Sequence, residues 1–218
     1  MSTAFTYAPP AGPVRLLHVD DDILIADKPA GLLSVPGRGA DRAECLIERL
    51  RFGFVQILLV HRLDLDTSGL IVFALNPRAQ AHLGRQFEAR RVSKRYVALI
   101  EGEPPEASGR IELPLIVDWP NRPRQKICHQ SGRPARTDWR VLRRHGGHTR
   151  VQLKPVTGRS HQLRVHMQAL GHPILGDPLY AEAASAAEYP RMMLHAETLR
   201  LAHPATGVML NFRSKAPF

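Results

Sequence analysis

The sequence predicts an α+β protein whose core is a mixed, mainly antiparallel sheet flanked by a few helices. Short strand-like segments alternate with only a few helical ones, which is the pattern of this class. The chain has 218 residues and is 44% hydrophobic, enough for one well-packed core. Since no repeat, low-complexity tract or linker divides it, we expect one domain over residues 16–218, preceded by a flexible arm over residues 1–15.

The first predicted element is a hairpin over residues 16–26. Apolar residues cluster on both sides of the run Asp20–Asp22, and the run Lys28–Gly31 then breaks the pattern into a loop. A short helix over residues 45–50 follows, because its apolar residues recur at helical spacing. Two strands are predicted next, one on each side of residues 61–69.

Two further helices are predicted along the chain. Asn76 is placed to cap the first and Pro77 to occupy its first turn, and apolar residues at helical spacing extend it to about Arg90. The second helix covers about residues 161–170. Its apolar stripe is expected to pack against the core, whereas its polar stripe, which carries Arg164, can reach a site. Strands are predicted between these helices, over residues 96–100 and 151–156.

The charge balance indicates a polyanionic partner. Lys and Arg number 30 against 20 acidic residues, which gives a formal net charge of +10. Between Trp119 and Arg150, nine basic residues stand against a single acid, Asp138. Because the positive charge is concentrated in one segment, it favours a nucleic-acid surface over a charge that only aids solubility.

Other features disfavour several classes of protein. Cys45 and Cys128 are far apart, with no CxxC pair and no histidines at zinc-site spacing, so we expect a reducing compartment and no metal. The first fourteen residues lack the basic and apolar regions of a signal peptide, and no later stretch approaches the length of a membrane span. The expected location is the cytoplasm.

The segment HRLDLDTSG, residues 61–69, concentrates charged groups between two apolar runs. As alternate residues of a strand, Asp64 and Asp66 would lie about 6.6 Å apart on one face, a spacing at which two carboxylates can hydrolyse a glycosidic bond. However, Asp66 begins the run Asp66–Gly69, which is typical of a turn. Asp64 is the stronger catalytic candidate, because an arginine nearby can hold it ionised in an apolar setting.

This segment resembles the signature of the RluA-type pseudouridine synthases, which reads HRLD, two variable positions, then TSG. Four further stretches are similar to family blocks and follow in the family's order. They are DKPAGLLSVPG (27–37), RVSKRYVALIEG (91–102), LKPVTGRSHQLRVHMQALGHPILGDPLY (153–180) and LHAETLRLAHP (194–204). The resemblance therefore covers nearly the whole chain after the first fifteen or so residues.

The resemblance implies a bent central sheet with the active-site cleft across it, and an isomerase that needs no cofactor. It implies that Asp64 is the essential aspartate, that Arg164 pairs with it, and that Tyr96 stacks on the target uracil and can help to remove its C5 proton. Arg62 is implied to enter the RNA and to fill the gap left by the extruded base. From the residues alone, the commoner fate of Tyr96 is a half-buried strand tyrosine, and Arg62 could be a solvated strand residue.

Further RNA contacts are expected from basic residues outside the signature. Backbone phosphates are predicted to be bound by Arg159, Arg122, Arg124, Lys126, Arg133 and Arg136. His61, which opens the signature, is a further predicted RNA contact. For His61, His161 and His166, however, packed or capping roles are the simpler interpretation, and no metal site is proposed.

The length of the chain narrows the resemblance within the family. The first family block begins near residue 16, so we expect no S4-type RNA-binding module before the catalytic domain. The chain is most similar to a branch that acts on two substrates, a 23S rRNA stem-loop and the anticodon stem-loop of certain tRNAs. The expected partner is RNA rather than DNA or a membrane, and a monomer is the default state. Three alternatives remain open: a family member with another RNA target, a non-catalytic RNA-binding protein, and a hydrolase that uses Asp64 and Asp66.

Overall fold

The computed structural model describes residues 6–218, which contain twelve β-strands and four α-helices. The strands are β1 (Arg15–Val19), β2 (Ile23–Lys28), β3 (Leu58–Leu59), β4 (Ser68–Ala74), β5 (Ser93–Glu101), β6 (Ser108–Ile111), β7 (Leu115–Val117), β8 (Gln125–Ile127), β9 (Thr137–His145), β10 (His148–Pro155), β11 (Leu194–Ala202) and β12 (Met209–Arg213). The helices are α1 (Leu46–Arg51), α2 (Pro77–Glu88), α3 (Gln162–Ala169) and α4 (Ala183–Ala187), and there are two 3-10 turns, Ala40–Arg42 and Trp119–Asn121.

Ten strands form one sheet in the order β1-β2-β4-β11-β5-β10-β9-β6, with β12 added to β11 and β3 to β4. All neighbours are antiparallel except β4 and β11, which pair in parallel where Ser68–Gly69 meets His195–Ala196. Strands β7 and β8 form a separate two-stranded sheet. The predicted α+β class, with a mixed and mainly antiparallel sheet, is confirmed.

The short parallel pairing depends on Gly69, the last residue of the signature. Its φ is +110°, and a Cβ at this position would lie 2.4 Å from the backbone oxygen of Ala196. Glycine is the residue that tolerates both the positive φ and the close approach. Gly69 therefore allows β4 to pair with β11 directly after the turn that carries Asp64.

The hairpin and the first of the two further helices form as predicted, for local reasons. Asp20 closes the β1–β2 turn, because its Oδ1 accepts hydrogen bonds from the backbone of Asp22 (2.9 Å) and Ile23 (2.8 Å). Asn76 caps α2 by accepting a 2.8 Å hydrogen bond from the backbone of Ala79, and Pro77 occupies the first turn.

Helix α3 departs from the prediction that only one of its stripes is covered. All six residues from Gln162 to Met167 are buried, including Arg164. Its apolar side packs on the sheet, while Val165 joins a small cluster with Leu115 of β7 and Tyr180. The β7–β8 hairpin therefore packs against Val165 of this helix.

The N-terminal arm is anchored where the structure describes it. Residues 1–5 of the predicted flexible segment lie outside the described residues. The hydroxyl of Tyr7 donates to the backbone of Glu44 (2.9 Å) and accepts from that of Leu33 (3.1 Å), and Arg49 donates to the carbonyl of Pro10 (2.7 Å). The chain before β1 thus lies against the main body. None of the helices found in residues 6–218 has the length and apolarity of a membrane-spanning segment.

Candidate active site

The segment that carries Asp64 is a loop between β3 and β4, held in place through its backbone. Ser34 donates its hydroxyl to the carbonyl of Leu63 (2.8 Å) and accepts from the amide of the same residue (3.1 Å). The carbonyl of Leu65 accepts from the amide of Gly31 (3.0 Å) and from Nζ of Lys28 (2.9 Å). The residues on both sides of Asp64 are therefore fixed to the loop that follows β2.

Lys28 is a fully buried cation beneath this loop. Besides Leu65, its Nζ donates to the carbonyls of Pro29 (3.0 Å) and Leu32 (2.6 Å), so all three ammonium protons have acceptors. Burial lowers the pKa of Lys28 to about 7, against the opposing effect of the negative charges of Asp66 and Asp64. The sequence pattern predicts a loop at Lys28, whereas in the structure this lysine is the last residue of β2 and a buried donor.

Asp64 and Arg164 come together as expected. Nη1 of Arg164 lies 3.6 Å from Oδ2 of Asp64, and the side chain of Arg164 is only 3% exposed. The other edge of the guanidinium is bound twice by Asp177, with Nε and Nη2 each 2.7 Å from a carboxylate oxygen. Burial alone would lower the pKa of Arg164, but the hydrogen bonds and charge of Asp177 and the charge of Asp64 raise it.

Asp177 orients this arginine and was not among the predicted site residues. It is fully buried, and its Oδ1 also accepts from the backbone amides of Leu179 (2.9 Å) and Tyr180 (3.2 Å). The preceding Gly176 has φ +72°, and a Cβ there would lie 2.1 Å from the backbone oxygen of Arg191. The GDPLY stretch therefore forms a tight turn that holds a carboxylate behind Arg164.

Tyr96 completes the predicted catalytic set. Asp64, Tyr96 and Arg164 all line one cavity of about 320 Å³ at the meeting point of the loop, β5 and α3. Tyr96 is 9% exposed, and burial, together with the negative charge of Asp64, raises the pKa of its phenol. The tyrosine is therefore neutral and presents an aromatic surface to a cavity that contains a carboxylate.

Asp66 has a different environment, although it is only two residues from Asp64. No strand covers residues 60–67, and the amide of Thr67 donates to the carbonyl of Asp64 (3.2 Å), so the segment is a turn. Asp66 is not among the residues that line the cavity. Burial raises its pKa, against the opposing charges of Arg164 and Lys28. The strand geometry needed for a pair of catalytic carboxylates is absent from this described segment.

His61 is packed into the wall of the cavity. Its ring stacks on Phe87 with centroids 4.7 Å apart, and its Nε2 accepts a 3.1 Å hydrogen bond from the amide of Val72. Burial lowers the pKa of His61 to about 3. This geometry favours the packing interpretation over the predicted RNA contact. His166 is likewise packed, 2.9 Å from the hydroxyl of Thr137 and 3.0 Å from the carbonyl of Leu113.

His161 lines the same cavity and is bound to Tyr180. The hydroxyl of Tyr180 accepts from the amide of Gln125 (2.7 Å) and forms a hydrogen bond with Nδ1 of His161, 2.7 Å away. Burial lowers the pKa of His161, against the opposing charge of Asp64. From the sequence, only a packed or capping role is expected for His161, whereas the residue lines the cavity.

Besides His61, two of the predicted RNA contacts, Arg62 and Arg159, lie at the cavity, and the others lie outside it. Arg62 is exposed and forms no ion pair or hydrogen bond within residues 6–218, while Arg159 donates to the carbonyl of Pro134 (3.2 Å). Arg136 is half-buried, 3.2 Å from Asp138, and Arg133 is exposed.

The remaining three basic residues belong to the β7–β8 hairpin, residues 115–127, which we call the finger. Trp119 is 68% exposed there, and the guanidinium of Arg122 lies 4.0 Å from its ring centroid. Lys126 pairs with Asp118 (3.3 Å), and Arg124 lies 5.3 Å from the ring centroid of Tyr180. The finger thus has an exposed stacking surface and a basic edge, and its base contacts the residues that surround Arg164.

Comparison with known proteins agrees with this geometry. Residues 22–169 match the family model described as RNA pseudouridylate synthase. The chain is 50% identical over 214 residues to "Dual-specificity RNA pseudouridine synthase RluA" of Escherichia coli strain K12, covering 97% of this chain and 98% of that one. A protein with the same description from Pasteurella multocida is 48% identical over 217 residues, with 98% of both chains covered.

Solved structures give the same result. "Human RNA Pseudouridylate Synthase Domain Containing 1" superposes with a TM-score of 0.79 at 32% identity, covering 97% of this chain and 87% of the other. "Human RNA Pseudouridylate Synthase Domain Containing 4" gives 0.75 at 28% identity, covering 93% and 88%. The chain therefore belongs to the RNA pseudouridine synthase family, and it is an isomerase that converts uridine in RNA to pseudouridine.

Proposed function

We propose that Asp64 is the catalytic carboxylate of this isomerisation, that Arg164 positions it, and that Tyr96 stacks on the uracil. The observation that carries the proposal is the placement of all three side chains around one cavity. Arg164 is held on its far side by Asp177 and is 3.6 Å from Asp64 on its near side. A guanidinium fixed in this way holds a carboxylate in one orientation before substrate arrives.

The reaction needs one anionic group and a place for the base to turn. The N1–C1′ bond of uridine breaks, the uracil rotates, and C5 bonds to C1′. The C5 proton leaves and N1 gains a proton, so no redox step or net group transfer occurs. Asp64 acts either as a nucleophile at C1′ or as a base at C2′, and both routes require the ionised carboxylate. Because Tyr96 is a neutral phenol, we assign it to stacking rather than to removal of the C5 proton.

The target nucleotide must leave its stack before it can enter the cavity. Flipping a base costs a few kcal/mol and is easiest in a loop. Arg62 is exposed at the cavity with no partner among the described residues, which suits insertion into the gap left by the base. Stacking on Tyr96 and on this guanidinium offsets part of the flipping cost.

For the substrates, we propose a 23S rRNA stem-loop and the anticodon stem-loop of certain tRNAs. The support is the near-complete alignment with relatives described as dual-specificity enzymes. Residues 16–218 form the single catalytic domain of this proposal and act as a monomer. The exposed Trp119 and Arg122 of the finger are placed to contact the stem beside the target loop.

Asp64→Asn tests the catalytic assignment, since it removes the charge and keeps the size of the side chain. We expect release of tritium from C5-labelled uridine RNA to be abolished, while RNA binding in a gel-shift assay persists. Asp21→Asn, at an exposed aspartate of the β1–β2 turn, is the matched control and should retain wild-type turnover. Wild-type tritium release by Asp64→Asn would refute the assignment. The two stem-loops, each paired with a version whose loop is scrambled, test the targets separately.

A further inference from the structure

Part of the large sheet has an exposed face, opposite the one that carries Tyr96. Adjacent residues of a strand point to opposite faces. On β5, Lys94 and Tyr96 line the catalytic cavity, so Arg95 points away from it. On the neighbouring strands Trp139 and Leu153 are buried on the catalytic side, and the residues next to them face outward. This outer face crosses β6, β9, β10, β5, β11 and β12.

The outer face carries two adjoining depressions. Two depressions of about 570 Å³ and 600 Å³ lie side by side and share Arg140 and Gln152 in their walls. We call the combined feature the outer groove. Its basic residues are Arg95, Arg110, Arg140, Lys154, Arg200 and Arg213. At a strand spacing of about 4.8 Å, six strands give the groove a width of roughly 24 Å.

Basic residues outnumber acidic residues in the outer groove. Its acidic residues are Asp138 and Glu197, which pair with Arg110 (3.2 Å) and Arg213 (3.3 Å). The other four basic residues are exposed, and their side chains form no ion pair or hydrogen bond within residues 6–218: Arg95, Arg140, Lys154 and Arg200. Like charges gathered on neighbouring strands repel one another. A bound polyanion would relieve that repulsion.

Linked ion pairs connect the catalytic side of the sheet to the outer groove. Oδ1 of Asp138 lies 3.2 Å from Nε of Arg136 and 3.2 Å from Nε of Arg110. Arg136 lies beside the cavity wall, since its amide donates to the hydroxyl of Thr157 (2.9 Å). Arg110 is on β6, the edge strand of the sheet, and the finger begins only a few residues later. An RNA strand that leaves the finger can therefore pass this edge and reach the outer face.

We propose that the outer groove binds the phosphodiester backbone of RNA that flanks the modified stem-loop. The inference rests on the proposed function, because the flank is defined by the target loop. A minimal stem-loop seated in the catalytic cavity does not extend around the sheet edge, whereas a longer RNA does. The groove therefore contributes affinity for long substrates and leaves the chemistry of the cavity unchanged.

The test compares the triple variant Arg95→Gln, Arg140→Gln and Arg200→Gln with a triple control. The control is Arg15→Gln, Arg38→Gln and Arg51→Gln, three exposed arginines that line neither the cavity, the finger nor the groove. Each protein is titrated with the target stem-loop and with the same stem-loop carrying a long flanking duplex. For the long RNA, the slope of log affinity against log salt should fall by about 2 to 3 in the groove variant. Turnover of the minimal stem-loop should be unchanged.

Equal loss of affinity for the short and long RNAs would overturn the proposal, as would wild-type binding of the long RNA. A loss of the same size in the control would also overturn it, because bulk charge would then explain the effect. Thermal unfolding of both variants separates a folding defect from a binding defect. If the wild-type protein binds both RNAs but modifies neither, the proposed targets fail, while the binding comparison still tests the groove.

Discussion

Arg164 beneath the catalytic cavity and Arg122 on the finger lie in opposite environments. The side chain of Arg164 is 3% exposed and is bound twice by Asp177, with Asp64 on its free edge. Arg122 is exposed, and its contact is the face of Trp119, 4.0 Å from the ring centroid. The first guanidinium is therefore fixed by the fold, and the second is accessible to a partner.

This difference separates the two tasks of the enzyme. Buried charges lose their hydration, so they are retained only with close partners, and breaking such a pair is costly. Exposed charges contribute little to folding and are screened by salt. The buried region should therefore control stability and chemistry together, whereas the finger should control capture of RNA. Four substitutions test this division.

The largest effect is expected from Asp177→Asn, which leaves the buried Arg164 without its main partner. Removing one member of a buried ion pair costs about 3 to 5 kcal/mol, so urea unfolding should detect a loss of this size. Turnover should fall strongly, because Arg164 would no longer be held beside Asp64. Asp138→Asn, which breaks a surface pair, is the control and should cost at most about 1 kcal/mol. If Asp177→Asn were as stable as the wild type, the contrast between the buried Arg164 and the exposed Arg122 would fail.

Lys28→Met should come next, since it removes the donor that three backbone carbonyls share. Leaving buried acceptors unpaired should cost about 2 to 3 kcal/mol near neutral pH. The effect depends on pH because burial lowers the pKa of Lys28 from 10.5 to about 7 in the folded protein. Between these values the unfolded chain binds more protons, so wild-type stability gains from this lysine as pH rises. The difference between the two proteins should therefore widen from pH 7 to pH 10, and a constant difference would contradict the assignment.

These two buried groups mark the limit of what the sequence could predict. Asp64, Tyr96 and Arg164 were identified from the family resemblance and lie around one cavity. Lys28 and Asp177 were missed because charged residues are normally assigned to the surface by their hydrophilicity. Nothing local indicates that Lys28 lies beneath the loop of Asp64 or that Asp177 lies behind Arg164, since both follow only from how the sheet and α3 pack.

The secondary structure was likewise predictable only where local sequence signals determine it. Elements set by local signals, such as the Asp20 turn and the Asn76 cap, were predicted closely. Around the signature, however, the strand expected before His61 shrinks to Leu58–Leu59, because the chain there turns into the loop that Ser34 and Lys28 hold. The packing of the finger against Val165 of α3 was also missed, because the finger lies far away in sequence.

Tyr180→Phe tests the contact between the buried region and the finger. The hydroxyl of Tyr180 lies between the amide of Gln125 in the finger and Nδ1 of His161. Its loss should weaken transition-state stabilisation by about 1 kcal/mol, which is near fivefold in kcat/KM. Nitrogen NMR of His161 should report a different ratio of the two ring tautomers in the variant than in the wild type, which a purely structural role would not produce. Tyr189→Phe is the control, since the Tyr189 hydroxyl has no hydrogen bond within residues 6–218. An unchanged tautomer would contradict the proposed coupling.

The smallest effect on stability is expected from Arg122→Gln at the tip of the finger. Because this guanidinium is exposed and stacks only on Trp119, unfolding in urea should match the wild type. Loss of one phosphate contact should lower the slope of log affinity against log salt by about 0.7 to 0.9 and raise KM at physiological salt. The kcat at saturating RNA should stay constant, because Asp64 and Arg164 are untouched. A fall in kcat with unchanged KM would mean that the finger takes part in the chemistry, and the division between capture and catalysis would fail.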